Sequence, residues 1–191
     1  MLANKSQISV EYLILTGFLL LAIIIPAVIF LYSLANQSVY GTVNAQKAVD
    51  IGNGFVTNAK QLYYLGLYSK RIVEYDVPQS VWKVFVVEIN EGDKLHYYVG
   101  IILNDTKQGS KFFFQSNVPL IAEAPPGHPD LVNTQDNSEA IPECRSPNSC
   151  NFYNFAGSVI KPGRKEFKIE TKIDTAAGGS EAKVYIIPLI D

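Results

Sequence analysis

Between Glu11 and Lys47 the chain carries no charged residue. The apolar heart of that interval, Tyr12–Ala35, is 24 residues long. Coiled as an α-helix it measures about 36 Å, longer than the roughly 30 Å hydrocarbon core of a bilayer. The sequence therefore predicts a membrane-spanning helix followed by one small domain in the remainder of the 191 residues. Pro26 interrupts the run. Proline removes one backbone hydrogen bond and crowds the preceding turn, so a kink or loosened segment is expected there, which membrane helices tolerate. Lys5 is the one basic side chain ahead of the run. The positive-inside rule then puts the N-terminus in the cytoplasm and the rest of the chain outside.

Glu11 stands at the edge of the apolar run, and no basic residue follows it before Lys47. A carboxylate in lipid is costly unless neutralised or paired, and the cost falls towards the headgroups. Two readings stay open on position alone. Glu11 lies at headgroup depth, or it has a partner outside its own chain.

The residues around it carry a resemblance. Lys5-Ser6-Gln7-Ile8-Ser9-Val10-Glu11-Tyr12-Leu13-Ile14-Leu15 resembles the class III signal peptide of archaeal type IV pilin-like proteins, whose pattern is Gln-x-Ser-x-Glu-x-x-x-Leu behind a short basic leader. Gln7, Ser9, Glu11 and Leu15 occupy its four fixed positions, with the apolar run directly behind them. The resemblance implies cleavage between Ser6 and Gln7 by a membrane-embedded prepilin peptidase. Ser6 is small, where Gly or Ala is usual. Cleavage would leave Gln7 with a free ammonium, and in such filaments the acid four residues on pairs with that amine on a neighbouring subunit. Glu11 would then set register during assembly. The resemblance also implies copies of the chain itself, an assembly ATPase and a membrane platform protein as partners. It covers about 30 residues and says nothing direct of the rest.

Beyond the span, Val39, Val43, Ala48, Ile51, Phe55, Ala59 and Leu62 recur mostly at spacings of three and four, which predicts an amphipathic helix to about Tyr64. Gly41, Gly52 and Gly54 weaken that prediction, each costing about 1 kcal/mol relative to Ala in an exposed helix. Gly52-x-Gly54 is not a nucleotide loop, because Thr57 holds the third glycine position and no strand precedes it.

From Arg71 the period becomes two. Val73, Tyr75 and Val77 alternate with Ile72, Glu74 and Asp76, and Pro78 ends the strand. Trp82–Asn90 and Lys94–Leu103 flank the turn residues Asn90-Glu91-Gly92-Asp93, a hairpin signal. Phe85, Val87 and Ile89 share one face of the first arm; Leu95, Tyr97, Val99, Ile101 and Leu103 share one face of the second. Asn104-Asp105 and Gln108-Gly109 turn the chain before a strand at Lys111–Ser116. Near the end, Phe167, Ile169 and Ile173 point inward while Glu166, Lys168, Glu170 and Lys172 point outward. Ala176–Gly179 turns into a last strand, Ala182–Ile187. The expected fold is α+β: a long, partly transmembrane helix and an antiparallel β-sheet or sandwich head, as the resemblance to type IV pilins also implies. In numbers, 1–6 is a leader, 7–36 the transmembrane and assembly helix, 37–66 its amphipathic extramembrane half, and 67–191 the β-rich head.

Residues 117–158 read as a long irregular loop. Pro119, Pro125, Pro126, Pro129, Pro142 and Pro147 exclude regular structure over much of it. Cys144 and Cys150, the only cysteines, predict a small disulfide loop on the outside of a cell. A metal site joining them to His96 and His128 is the alternative, but it lacks the usual tight ligand spacing. His96 shares a strand face with Tyr98 and Ile102 and reads as a packed or edge histidine; His128, among prolines, reads as exposed. Asn36 and Asn104 open glycosylation sequons, and Asn104, in a turn, is the better placed for an exported chain.

The net charge of −2 and the lack of a basic patch give no nucleic-acid partner. No serine sits in a nucleophile-elbow context and no acidic pair has a supporting motif, so no enzyme activity or cofactor is expected. The expectation is a structural pilin of a surface filament, probing its surroundings by adhesion. A minor pilin, or a single-span membrane-anchored surface protein that does not polymerise, is the alternative.

Overall fold

A computed structural model describes residues 3–91, 94–104, 110–134, 144, 150–174 and 180–189, with the side chains of 3–9 and 35–40 left out of the description. Contacts divide the chain into Met1–Val43 and Asn44–Asp191. One helix, α1 (Ala3–Leu65), supplies the first unit and part of the second, and it continues through Pro26. Gly66, at φ 99°, ends it. Glycine accepts this left-handed conformation without a Cβ penalty, and its N–H bonds back to the Tyr63 carbonyl at 3.2 Å.

The second unit carries two sheets. Sheet A has the order β1 (Lys70–Val77), β8 (Gly163–Asp174), β9 (Glu181–Pro188), β5 (Leu120–Ala122). Sheet B has the order β4 (Ser110–Ser116), β3 (Lys94–Leu103), β2 (Val81–Glu91), β7 (Cys150–Phe155), β6 (Val132–Asn133). The expected hairpin forms as β2 and β3, paired antiparallel from Val81↔Leu103 to Glu91↔Lys94. The sheets are antiparallel as expected, apart from the short β5, which runs parallel to β9. Two readings need correction. The stretch 117–158 is not irregular throughout: β5, a 3-10 turn at Pro129–Leu131, β6 and β7 fall inside it. The prolines lie outside those strands, and β7 adds to the sheet beside β2. Ile173 is 39 % exposed rather than inward, because it lies near the end of β8, and Thr171 on the same face is buried instead. The turns expected at 92–93, 105–109 and 176–179 lie outside the described residues.

The main core joins both sheets to the helix. Ala48, Ile51, Phe55, Ala59 and Leu62 pack with Val86, Val99, Ile101, Phe167, Ile169 and Ile186. Val43, expected on the same stripe, is 46 % exposed. Phe55 meets Tyr75 edge-on at 4.9 Å and Phe167 at 5.0 Å between ring centroids, the geometry that aromatic quadrupoles favour. Gly52 and Gly54 are where the helix touches the edge strand of each sheet. A Cβ on Gly52 would lie 2.1 Å from the Phe114 ring of β4, and one on Gly54 2.5 Å from the Tyr75 hydroxyl of β1. The glycines that weaken the helix locally are therefore the seats of two rings. Arg71 of β1 reinforces this seam, donating to Asn58 Oδ1 at 2.9 Å and Gln61 Oε1 at 2.8 Å.

A second, smaller core covers the outer face of sheet B. Phe85, Val87, Ile89, Ile102 and Phe152 surround Cys144, which is 3 % exposed. Both faces of β2 are thus buried, as its nearly continuous apolar sequence requires.

Candidate functional site: an uncovered apolar helix with an acidic edge

Within the first unit, Val10–Leu34 is a 25-residue helical segment of mean hydropathy 2.9, and no part of its most apolar stretch is buried. Among the described residues it is the one helix long and apolar enough to cross a membrane. Phe18 is 76 % exposed, and Leu13, Ile23 and Phe30 are exposed on other sides of the helix. In water such a surface costs roughly 25 cal/mol per Å² of apolar area; in lipid or against other apolar helices that cost vanishes. The polar atoms that remain are handled locally. Thr16 Oγ1 donates to the Tyr12 carbonyl at 2.7 Å, which satisfies the hydroxyl within the helix.

Glu11 is exposed at the start of this segment. Glu11, Ile14, Leu15, Phe18, Leu19 and Ala22 line one shallow groove along the helix, so the fold brings Glu11 and Leu15 of the motif to one face. Ser6, Gln7 and Ser9 lie on helical backbone; their side chains are outside the description. Since α1 runs from Ala3, the Ser6–Gln7 bond is itself helical, and no break separates residues 3–6 from the helix that follows.

Cys144 and Cys150 form a disulfide. Both thiols are consumed, which removes the cysteine-based metal alternative. His96 lies 3.8 Å from Glu91 across the hairpin, and His128 is exposed ahead of the 3-10 turn. No cluster of three metal-ligating side chains occurs among the described residues. Asn104 is exposed just after β3, its N–H bonded to the Ser80 carbonyl at 2.7 Å; Asp105 and Thr106 of its sequon lie outside the described residues.

Sequence reasoning missed an ionic group between the sheets. Lys183 of β9, 8 % exposed, lies 3.0 Å from Asp174 of β8 and 3.9 Å from Glu88 of β2. Burial pushes the Lys183 ammonium down, but the hydrogen bond to Asp174 and the charges of Glu88 and Asp174 outweigh it and hold its pKa above the usual lysine value. Burial first, then the carboxylates of Glu88 and Glu181, push the Tyr97 hydroxyl well above the ordinary phenol range. The sequence signal is an acid, Glu88, directly behind the apolar run Val84–Val87 and ahead of Ile89. On sheet A, Glu170 lies between Lys168 at 3.0 Å and Lys172 at 2.6 Å, and Lys172 reaches Glu123 at 2.7 Å. The Lys183 pairs join β9 to β8 and β2, and the Lys172–Glu123 pair joins β8 to the residue after β5.

Comparison with family models, with curated proteins and with solved structures finds no match to this chain. The functional reading therefore rests on the chain's own chemistry and on the N-terminal motif.

Proposed function

We propose that the chain is a structural subunit of an archaeal type IV pilus-like surface filament. A prepilin peptidase frees Gln7, the apolar helix waits in the membrane, and assembly moves it from lipid into a bundle of identical helices. The observation that carries this reading is the uncovered 25-residue apolar segment opening on Glu11. A plain anchor needs the apolar length alone. The acid, at the position that Gln7 and Ser9 also mark, is what an anchor does not need. A carboxylate and an ammonium in a low-dielectric bundle attract strongly, and each alone is penalised. Pairing Glu11 with the Gln7 amine of a neighbour relieves both penalties and selects one axial register. The assembly ATPase and platform protein supply the work of extraction, and the β-rich unit is presented outside for adhesion.

The test is made on fibres sheared from cells. The native chain is expected to begin at Gln7 and to be abundant there. Glu11→Ala is expected to insert in the membrane normally and to yield no fibres. Fibres of normal length and number from that variant overturn the proposal. Trace amounts of the chain in otherwise normal fibres favour the minor-subunit reading.

A further inference from the structure

The aromatic residues of the apolar segment are sorted by polarity. Tyr12 and Tyr32 stand at its two ends, and Phe18 and Phe30 lie between them. All four are exposed, by 64 % at Phe30 to 76 % at Phe18. Between the tyrosines there is one side-chain hydroxyl, that of Thr16, and it bonds back to the Tyr12 carbonyl. Every other residue in that stretch is apolar, glycine or proline. Polar residues stand on either side of it: Ser9 and Glu11 before, Ser33, Asn36, Gln37 and Ser38 after. A phenol left unpartnered in hydrocarbon loses the hydrogen bonds it makes in water, whereas a phenyl ring has none to lose. At a bilayer interface the tyrosine ring meets acyl chains and its hydroxyl reaches the headgroup oxygens.

The spacing has the dimension of a bilayer. Tyr12 and Tyr32 are 20 residues apart, about 30 Å along a helix and equal to the usual hydrocarbon thickness. Side chains on a helix lean towards its N-terminus. Both hydroxyls are therefore displaced in the same direction, and their separation is kept. Apolar length alone does not fix a depth. Val10–Leu34 is about 37 Å long and is free to slide by several ångströms in a core of about 30 Å. The two hydroxyls remove that freedom.

We infer that Tyr12 and Tyr32 anchor the helix to the headgroup layers of a lipid bilayer, which puts Ala22 at the midplane and Glu11 in the headgroup layer on the N-terminal side. There Glu11 keeps its charge without a protein partner, because the cost of an acid falls away from the midplane. Pairing with an amine becomes necessary only when the helix leaves lipid for a bundle. The inference rests on the membrane-spanning part of the proposed function and not on filament formation.

The test is depth-dependent fluorescence quenching. Trp82→Phe, at an exposed position, removes the one native tryptophan. Tyr12→Trp, Ala22→Trp or Tyr32→Trp is then added singly to the full chain in dioleoylphosphatidylcholine vesicles. The vesicles carry bromine at either a shallow or a deep acyl carbon. The probes at 12 and 32, where tryptophan is itself an interface residue, are expected to be quenched at least twofold more by the shallow label. The Ala22→Trp probe is expected to be quenched at least twofold more by the deep label. Exchanging Phe30→Tyr with Tyr32→Phe keeps the composition and moves one hydroxyl by two residues, about 3 Å. The Ala22→Trp probe should then move off centre by up to that distance. An unmoved probe assigns the depth to apolar length and overturns the inference, as does preferential deep quenching at 12 or 32. A chain quenched at none of the three positions overturns the membrane-spanning reading with it, whereas insertion at another depth overturns the anchors alone.

Discussion

Gly52→Ala separates local helix propensity from tertiary fit. By propensity alone the change stabilises a helix by about 1 kcal/mol. The surroundings reverse that sign. The new Cβ would lie 2.1, 2.2 and 2.6 Å from three carbons of the Phe114 ring. Carbon–carbon contact is optimal near 3.5 Å, so the ring must withdraw by about 1.4 Å. Phe114 is half-buried against the main core, and its free direction is towards solvent. Overpacking of this kind costs about 1–3 kcal/mol. Set against the propensity gain of about 1 kcal/mol, a mid-range overpacking cost of about 2 kcal/mol leaves a net loss of about 1 kcal/mol, or roughly 3 °C in a domain of this size. The measurement is thermal and urea unfolding of the full chain in micelles. Phe114→Ala alone also destabilises, but in that background Gly52→Ala is expected to become neutral or stabilising, a coupling of at least about 1 kcal/mol in the double-mutant cycle. Gly41→Ala, with nothing within 4 Å of its Cβ position, leaves the unfolding transition of the β-rich unit where it was. A Gly52→Ala chain that melts at or above the parent temperature refutes the ring-seat argument.

Two further outcomes follow from the same structure. Opening the Cys144–Cys150 bridge, by reductant or by paired serine substitution, removes a loop constraint worth about 2 kcal/mol by chain entropy and loosens the cluster around Phe85 and Phe152. Hydrogen exchange should quicken in β7 while the β1–β8 ladder stays protected; uniform protection in both states counts against it. Stability should also be flat in the middle of the pH scale and fall at both ends. Burial pushes the Glu170 carboxyl up, but hydrogen bonds from Lys172 and Lys168 outweigh this and hold it below the ordinary 4.5. A depressed carboxyl stabilises the fold above its unfolded pKa, and that contribution disappears as pH falls through the lower, folded value. Lys183 and Tyr97 are raised above their ordinary 10.5 and 10.0. Their contributions are complete below those values and disappear as pH rises through the folded ones. Glu170→Gln should flatten the acid limb and leave the alkaline limb intact; an unchanged acid limb would exclude the ion group as its source.

The parts legible from sequence are those whose signal is local and periodic. The uncharged run after Glu11, the helical stripe from Ala48 to Leu62 and the alternation in β2 and β3 each need only their own neighbours to be read. The disulfide was legible because the chain has two cysteines. What escaped depends on partners far along the chain. Gly52 and Gly54 look like defects until Phe114 and Tyr75 are in place. Strand β7, Cys-Asn-Phe-Tyr-Asn-Phe, has its asparagines three residues apart, which breaks the two-residue period, and follows a proline-rich stretch, so only its pairing with β2 reveals it. Trp82 reads as the first residue of an ordinary strand, yet it is an extra residue between the Val81–Leu103 and Lys83–Ile102 pairs; such a bulge is a property of two strands and cannot be seen in one. Glu88 has no visible partner in the sequence because its cation, Lys183, is brought to it by the opposite sheet.

Sheet A is assembled from distant parts of the β-rich unit. Its first strand must wait for β8, about a hundred residues later, and its middle is not filled until β9 arrives between β8 and β5. During synthesis, then, the hairpin of sheet B can close early while half of the sandwich has no mate. Strand β9, which pairs with both β8 and β5, acts as the zip. A nick that removes β9 leaves two ladders without a partner at once, so quality control of the β-rich unit is concentrated at this one strand, far in sequence from the membrane-seeking helix.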